Sequence, residues 1–487
     1  MFSGRNYELQ YLNNYYERDG SQIMVLYGEK NVGKTTLLSR FMADRPGYYY
    51  RARSASEREQ RFLWGRELKA GTDEEWYPTF TEIFNLIPEA GVIAQNAADG
   101  DGAAVLGGDI READANGTDM HTADVRVRKM VIVIDEFQNI VKAGGGFMGE
   151  LCAFVRGRKD APVLVILASS SIGWVENSMI TRIGEAAYAL SGFFKIRELS
   201  FGTLMDFFPK FSMKQCVETY AVLGGVPGFW RHFDDKLDIK ENICRYILNK
   251  DVFLHEEGLR IVERELRETG VYNTILAAIA AGKHKLNDLY HHTEFSRAKI
   301  SVYLKNLMEL ELVEKVFSYD TEGKANTQKG IYRISNHFVH FYFTYIYPHL
   351  SSMETLGEKA YYDRYIAPYF GRYVAYYFKQ VCREYIEEWN RNGELPVKVD
   401  RIGEWVGKTG TIDFVARSEN GETILGICNW EKLSMDYEDY ERLLSCAEKA
   451  KLGTEHIYLF SRYRFDERLR KEAGRNKGIK LFGMDAM

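Results

Sequence analysis

The sequence predicts an α/β protein: a parallel sheet around a phosphate-binding loop, a helical and winged-helix segment, and a second, smaller α/β unit. Three observations predict it. Gly28-Glu29-Lys30-Asn31-Val32-Gly33-Lys34-Thr35 stands between an apolar run of strand length and a helical stretch. The runs beginning at Met130 (MVIVI) and Val163 (VLVILA) are apolar throughout, as strands covered on both faces of a parallel sheet must be. Two short apolar segments, 312–317 and 330–334, flank a polar loop after three helical stretches, which is the pattern of a winged helix.

The composition permits this many parts. At about 150 residues per domain, 487 residues amount to roughly three domains. Hydrophobic residues make up 45% and charged residues 27%, so a fibrous or wholly disordered chain is excluded. Lys and Arg number 64 against 69 Asp and Glu, and the net charge of −5 excludes a globally basic nucleic-acid coat while leaving room for a local basic patch. Six cysteines without a CxxC pair argue against a disulfide framework or a zinc site and fit a reducing compartment. No apolar run approaches the roughly 18 residues of a membrane span. Charge at Arg5 and Glu8 interrupts the start where a signal peptide needs an apolar core. A cytoplasmic protein without a membrane partner is expected.

Taken in order, residues 5–19 place Leu9, Leu12, Tyr15 and Tyr16 on one helical stripe. Residues 21–27 read as a strand and 36–42 as the helix after the loop. Residues 99–124 are rich in Gly, Ala and Asp with almost no large apolar residue, so a flexible insertion is expected at about 97–124 within a phosphate-loop core spanning 1–202. A helical lid follows at 203–265, interrupted by Gly224-Gly225-Val226-Pro227. The winged helix spans 266–347, with helices at 285–292 and 296–310 and Ser296 as N-cap. Residues 348–353 read as a linker. The third unit, 360–487, opens with an aromatic helix at 361–389 and continues with strands at 411–416 and 423–428. No internal repeat is present.

The loop matches GxxxxGK[ST] in full. Gly28 and Gly33 let the backbone curl so that its N–H groups face phosphate oxygens, and the helix starting near Lys34 adds its positive end. Residues 28–36, through Thr36, are the expected ATP-binding segment: Lys34 reaches the β- and γ-phosphates, and the Thr35 hydroxyl ligates Mg²⁺. The apolar strand ending in Asp135-Glu136 supplies the second part, with Asp135 on the metal and Glu136 polarising the attacking water. A third strand ends in Ser169-Ser170-Ser171, and Ser169 or Ser170 is the expected contact to the γ-phosphate.

With these motifs assembled, the chain resembles the archaeal-type P-loop ATPase family, which is related to the AAA+ and STAND ATPases. The resemblance rests on Phe2-Ser-Gly-Arg5 with Glu8 and Leu9, on Tyr27 through Leu38, on Val133-Ile-Asp-Glu-Phe-Gln138, and on Leu167-Ala-Ser-Ser170. It continues through Tyr220–Pro227, Tyr272–Gly282 and Tyr332–Asn336. It implies ATP and Mg²⁺ as cofactors, a Gly-Gly-Val-Pro element that couples the helical segment to the nucleotide, and packing of the residues around Arg5 near the adenine. Gly192-Phe193 stands where the family often carries Gly-Arg, before a strand expected at 195–199, so an arginine finger is absent or supplied by Arg182 or Arg197.

The third unit resembles a restriction-endonuclease-like domain. That likeness implies Asp413 as the first metal acid, but Ile427 and Asn429 stand where the next strand needs Glu and Lys, and no Glu lies at 372–377. Catalysis there is not expected unless Glu404, Glu422 or Glu431 has moved into the site. In the winged helix, Arg297, Lys299, Lys305, Lys315, Lys324 and Lys329 are offset by Glu309, Glu311, Glu314, Asp320 and Glu322, a weak basic footprint for DNA. The reading is therefore an ATP-binding, slowly hydrolysing switch that drives a winged-helix and C-terminal effector. A DNA-binding module with ATP as structural ligand and an active ATP-dependent nuclease are its rivals. A protein partner or a homo-oligomer is open.

Overall fold

The computed structural model describes residues 4–69, 76–87, 129–321, 330–408 and 410–487. The insertion expected at 97–124, and Glu322, Lys324 and Lys329 of the wing, lie outside them. The chain forms two compact units, one ending at Arg197 and one running from Glu198 to Met487.

In the first unit, α1 (Asn6–Tyr16), β1 (Gln22–Tyr27), α2 (Lys34–Met42), β2 (Gly47–Arg51), β3 (Met130–Asp135), β4 (Val163–Ser169) and β5 (Gly192–Lys195) carry the site. The sheet is parallel throughout, in the order β2-β3-β4-β1-β5. Every residue of β3 and β4 is buried, as the unbroken apolar runs require. Alternation sorts β1 between two cores: Ile23 and Val25 face one, Met24 and Leu26 the other. The strand expected at 195–199 lies earlier, at Gly192–Lys195. The reason is pairing: β1 ends at Tyr27, whose carbonyl takes the last bond from the Ile196 N–H, so 197–199 have no strand left to pair with.

The second unit contains α3 (Met213–Leu223), α4 (Thr269–Ala280), α5 (Leu286–Thr293), α6 (Arg297–Glu309) and the antiparallel pair β6 (Val313–Val316) and β7 (Ile331–Ile334). Ser296 caps α6 by accepting from the Lys299 N–H at 3.2 Å. The long helix α7 (Ala367–Asn392) leads into β8 (Val399–Gly407), β9 (Gly410–Ser418) and β10 (Thr423–Asn429). Then come β11 (Ser434–Met435), α8 (Tyr437–Ala450), β12 (His456–Ser461), β13 (Arg464–Phe465), α9 (Glu467–Arg475) and β14 (Ile479–Gly483). The five-stranded sheet runs β14-β12-β10-β9-β8. Residues 348–353 are not a linker. They belong to helical turns, Tyr347–His349 and Leu350–Thr355, and Met353 is buried in the common core. That one core extends from Leu199 to Phe460, so the helices after Leu199, the winged pair and the C-terminal sheet share a single hydrophobic interior.

The winged pair is tied to the C-terminal sheet. The register of β8 against β9 shifts between Gly403 and Trp405, leaving Glu404 without a cross-strand partner. The freed Glu404 carbonyl accepts from the Tyr319 N–H at 2.7 Å, and its carboxylate pairs with Arg333 of β7. The Val406 N–H donates to Ser318 Oγ at 3.0 Å, and the Tyr319 ring is buried in the outer core of the sheet.

His337 is buried in the common core, with Nδ1 2.7 Å from the Tyr220 carbonyl and its ring 4.1 Å from that of Tyr377. Burial pushes its imidazole down from 6.5 to about 4. The neutral ring therefore contributes stability that is fully present above about pH 6.5 and is lost as pH falls toward 4. The melting temperature of the wild-type chain should fall more steeply between those values than that of His337→Gln. Parallel curves would show that another group carries the acid sensitivity.

Candidate active site

The loop between β1 and α2 has the backbone its sequence demands. Gly33 sits at φ +99°, a left-handed conformation that costs glycine little. A Cβ on Gly28 would meet the Ile196 carbonyl oxygen at 2.3 Å, so only glycine lets the loop lie this close to the chain leaving β5. Lys34 is 7% exposed, and its Nζ donates at 2.9 Å to the carbonyls of both Gly28 and Glu29. Burial lowers its pKa, with Glu136 and Asp135 opposing the shift. The ammonium thus fills the cradle and rests on the loop's own carbonyls. A phosphate oxygen is a better partner for that charge, so the residues present fit a nucleotide phosphate. Val32 is buried, and its carbonyl accepts from the Arg5 guanidinium at 2.8 Å, which also pairs with Glu8. Arg5 therefore braces the loop from beneath. Thr35 and Thr36 are exposed at the start of α2.

Sheet order brings the acids to the loop. Because β4 lies between β1 and β3, the end of β4 falls between the phosphate loop and the Asp135-Glu136 pair. Ser169 does not reach the site: its side chain is enclosed, its Oγ accepts from the Ser171 N–H, and its carbonyl accepts from the Gly28 N–H. Ser170 does reach it. Its Oγ donates to Glu136 Oε2 at 2.7 Å, and the same oxygen takes the Gln138 amide at 2.5 Å and the Ser170 N–H at 3.3 Å. Burial pushes the Glu136 carboxyl up, but those hydrogen bonds and the Lys34 charge outweigh it and hold the group below its usual range. Glu136 also has φ +54°, a left-handed backbone rare for a residue with a Cβ.

Asp135 is 4% exposed, and burial raises its carboxyl pKa. Oδ1 accepts the Glu136 N–H at 3.0 Å, and Oδ2 accepts the Tyr49 hydroxyl at 2.6 Å. Tyr49, on β2, also shares a hydrogen bond with Thr35, and burial pushes its phenol well above the usual range. Sequence reasoning missed this residue. The tyrosine run 48–50 is an ordinary strand signal, and only the pairing of β2 with β3 sets Tyr49 beside the acid. Its phenol bridges the two side chains, Thr35 and Asp135, that would hold Mg²⁺ by hard oxygen atoms. Binding the ion must displace a hydrogen bond of about 1 kcal/mol. Tyr49→Phe should therefore lower the Mg²⁺ concentration for half-maximal ATPase activity about fivefold. A higher requirement would mean that the phenol supports the ion instead of competing with it.

The acid of the third unit is also engaged. Asp413 on β9 pairs through Oδ1 with the Lys379 ammonium of α7 at 2.6 Å, and its Oδ2 accepts the Cys428 N–H at 2.8 Å. Burial alone would lower the Lys379 pKa, but Asp413 outweighs it and raises it. Asn429 points its amide at Lys432 and Ser461, while Glu404 is committed to Arg333. No cluster of three or more His, Cys, Asp or Glu suited to a metal occurs among the described residues. No helix among them is long and apolar enough to cross a membrane.

Residues 2–229 match the family described as an ATPase domain predominantly from Archaea. Residues 273–315 match the bacterial regulatory protein, arsR family, and 342–441 a family of archaeal and bacterial proteins of unknown function. An uncharacterised protein of Methanocaldococcus jannaschii is 27% identical over 443 residues, which are 89% of this chain and 88% of that protein. The Walker-type ATPase of Pyrococcus abyssi aligns at 16% identity and TM-score 0.45, over 70% of this chain and 96% of its own. The ORC2 protein of Aeropyrum pernix, solved with ADPNP and ADP, aligns at 12% identity and TM-score 0.44, over 73% and 96%.

Proposed function

With residues 2–229 a member of the archaeal ATPase domain family, we propose that the protein binds ATP and hydrolyses it slowly, as a switch for its winged-helix and C-terminal parts. The observation that carries this is the state of Glu136: the base is beside the phosphate loop, but one of its oxygens is already held by three donors. In this reading Lys34 leaves the carbonyls of Gly28 and Glu29 for the β- and γ-phosphates. Thr35 and Asp135 hold Mg²⁺, which when bound neutralises charge on the phosphate oxygens. Glu136 orients the attacking water and accepts its proton once Ser170 and Gln138 let go, and Ser170 is then free to face the γ-phosphate. Hydrolysis waits on that release, which accounts for a slow rate. Phosphate release by the full chain, with and without duplex DNA, tests it. ATP bound but never hydrolysed would favour the rival in which the nucleotide is a structural ligand.

A DNA-reading role for α6 has one observation in its favour: Arg297, Ser301, Val302 and Lys305 face solvent. Against it, the base of the wing is bonded to β8 and is not free to follow a groove.

The nuclease reading is disfavoured by Lys379, whose ammonium takes the place beside Asp413 that a metal would need. Plasmid, linear and single-stranded DNA should stay intact in Mg²⁺ or Mn²⁺. Metal-dependent cutting that disappears in Asp413→Ala would refute this.

A further inference from the structure

Residues 462–480 carry eight Lys and Arg against three Asp and Glu, in a chain whose net charge is −5. Seven of the eight, Arg464, Arg468, Arg470, Lys471, Arg475, Lys477 and Lys480, are exposed. The helix α9 is held to the sheet by Leu469, which is fully buried, and by Ala473. At helical spacing that turns Arg468, Lys471 and Arg475 (i, i+3, i+7) together to solvent. Few acids answer them: Arg468, whose guanidinium lies over the Tyr437 ring at 3.7 Å, is 3.8 Å from Glu441, Lys471 meets Glu467 at 2.8 Å, and both are exposed pairs worth little. Arg464, Arg470, Arg475, Lys477 and Lys480 form no ion pair among the described residues.

Helix stability explains only part of this. Arg475 and Lys477 suit the negative C-terminal end, but Arg468, two residues past the Asp466 N-cap, sits at the positive end where a cation is unfavourable. The three stripe cations span about 10 Å along the axis. One strand of a duplex advances about three phosphates over that distance, so the stripe matches a regular polyanion. We propose that α9 and the turn after it bind the phosphate backbone of duplex DNA without reading its sequence, through a surface separate from the winged helix and independent of ATP. Arginine and lysine on an exposed helix anchored by one apolar face suit backbone contacts that position a protein on DNA.

Fluorescence anisotropy of the full chain with a labelled duplex of about 30 base pairs, at about 50 to 200 mM NaCl, tests this. The triple variant Arg468→Gln/Lys471→Gln/Arg475→Gln should bind at least about tenfold more weakly at the lowest salt. Its log–log salt slope should be shallower by about 2 to 3, as three phosphate contacts are lost. Arg297→Gln/Lys305→Gln on α6 should keep the stripe's contribution, and the charge-preserving Arg468→Lys/Lys471→Arg/Arg475→Lys should bind like wild type. An unchanged slope in the triple variant with unchanged circular dichroism overturns the proposal. So does a wild-type chain that binds phosphatidylserine vesicles but not the duplex.

Discussion

Alanine at position 34 should abolish useful nucleotide binding, weakening ATP affinity by at least about 2 kcal/mol, or some thirtyfold. Within the loop, Lys34 is the cation whose Nζ already lies on the loop carbonyls, at the place where phosphate oxygens would take it over. Its loss removes a charge-assisted contact that a neutral neighbour cannot replace. The fold should survive, because α2 is held by Leu37, Leu38, Phe41 and Met42 rather than by the lysine. Calorimetric titration at unchanged circular dichroism measures it. Near wild-type affinity would sink the assignment of the loop.

Glu136→Gln should lower the turnover of ATP at least about a hundredfold while leaving ATP bound, the scale of losing a positioned general base. Glutamine keeps an oxygen for Ser170 and the size of the side chain, so the surrounding contacts persist. What it loses is the charge that the Gln138 and Ser170 hydrogen bonds keep ionised. The separation of turnover from binding is the informative part. A parallel loss of both would mean that the left-handed backbone at Glu136 shapes the loop, and that the carboxylate is not the base.

The site was legible in the sequence where its parts are contiguous. The glycine-lysine loop and the acid pair are each a single run of residues, and their strand–loop–helix context is a local property. The two short strands of the winged helix were legible for the same reason. Tyr49 was not, because its role depends on which strand lies beside β3. Nor could the choice between Ser169 and Ser170 be read: consecutive residues of a strand point to opposite sides, and only the observed register shows which one meets Glu136. Lys379 was missed because it comes from a helix rather than from the strand where the resemblance directs attention. The supposed linker at 348–353 failed because its apolar content is modest, although Met353 joins the shared core.

That shared interior bears on how the protein is made. A chain leaving the ribosome delivers the first unit complete once Arg197 is out, with all five strands of its sheet in hand. The second unit has no such early stop, because Leu199 near its beginning and Phe460 near its end line the same interior. At about 5–20 residues per second, the roughly 260 residues between them take about 13 to 50 s to emerge. Throughout that interval apolar surface stands in water without its partners, so the second unit needs protection from self-association during synthesis far more than the first.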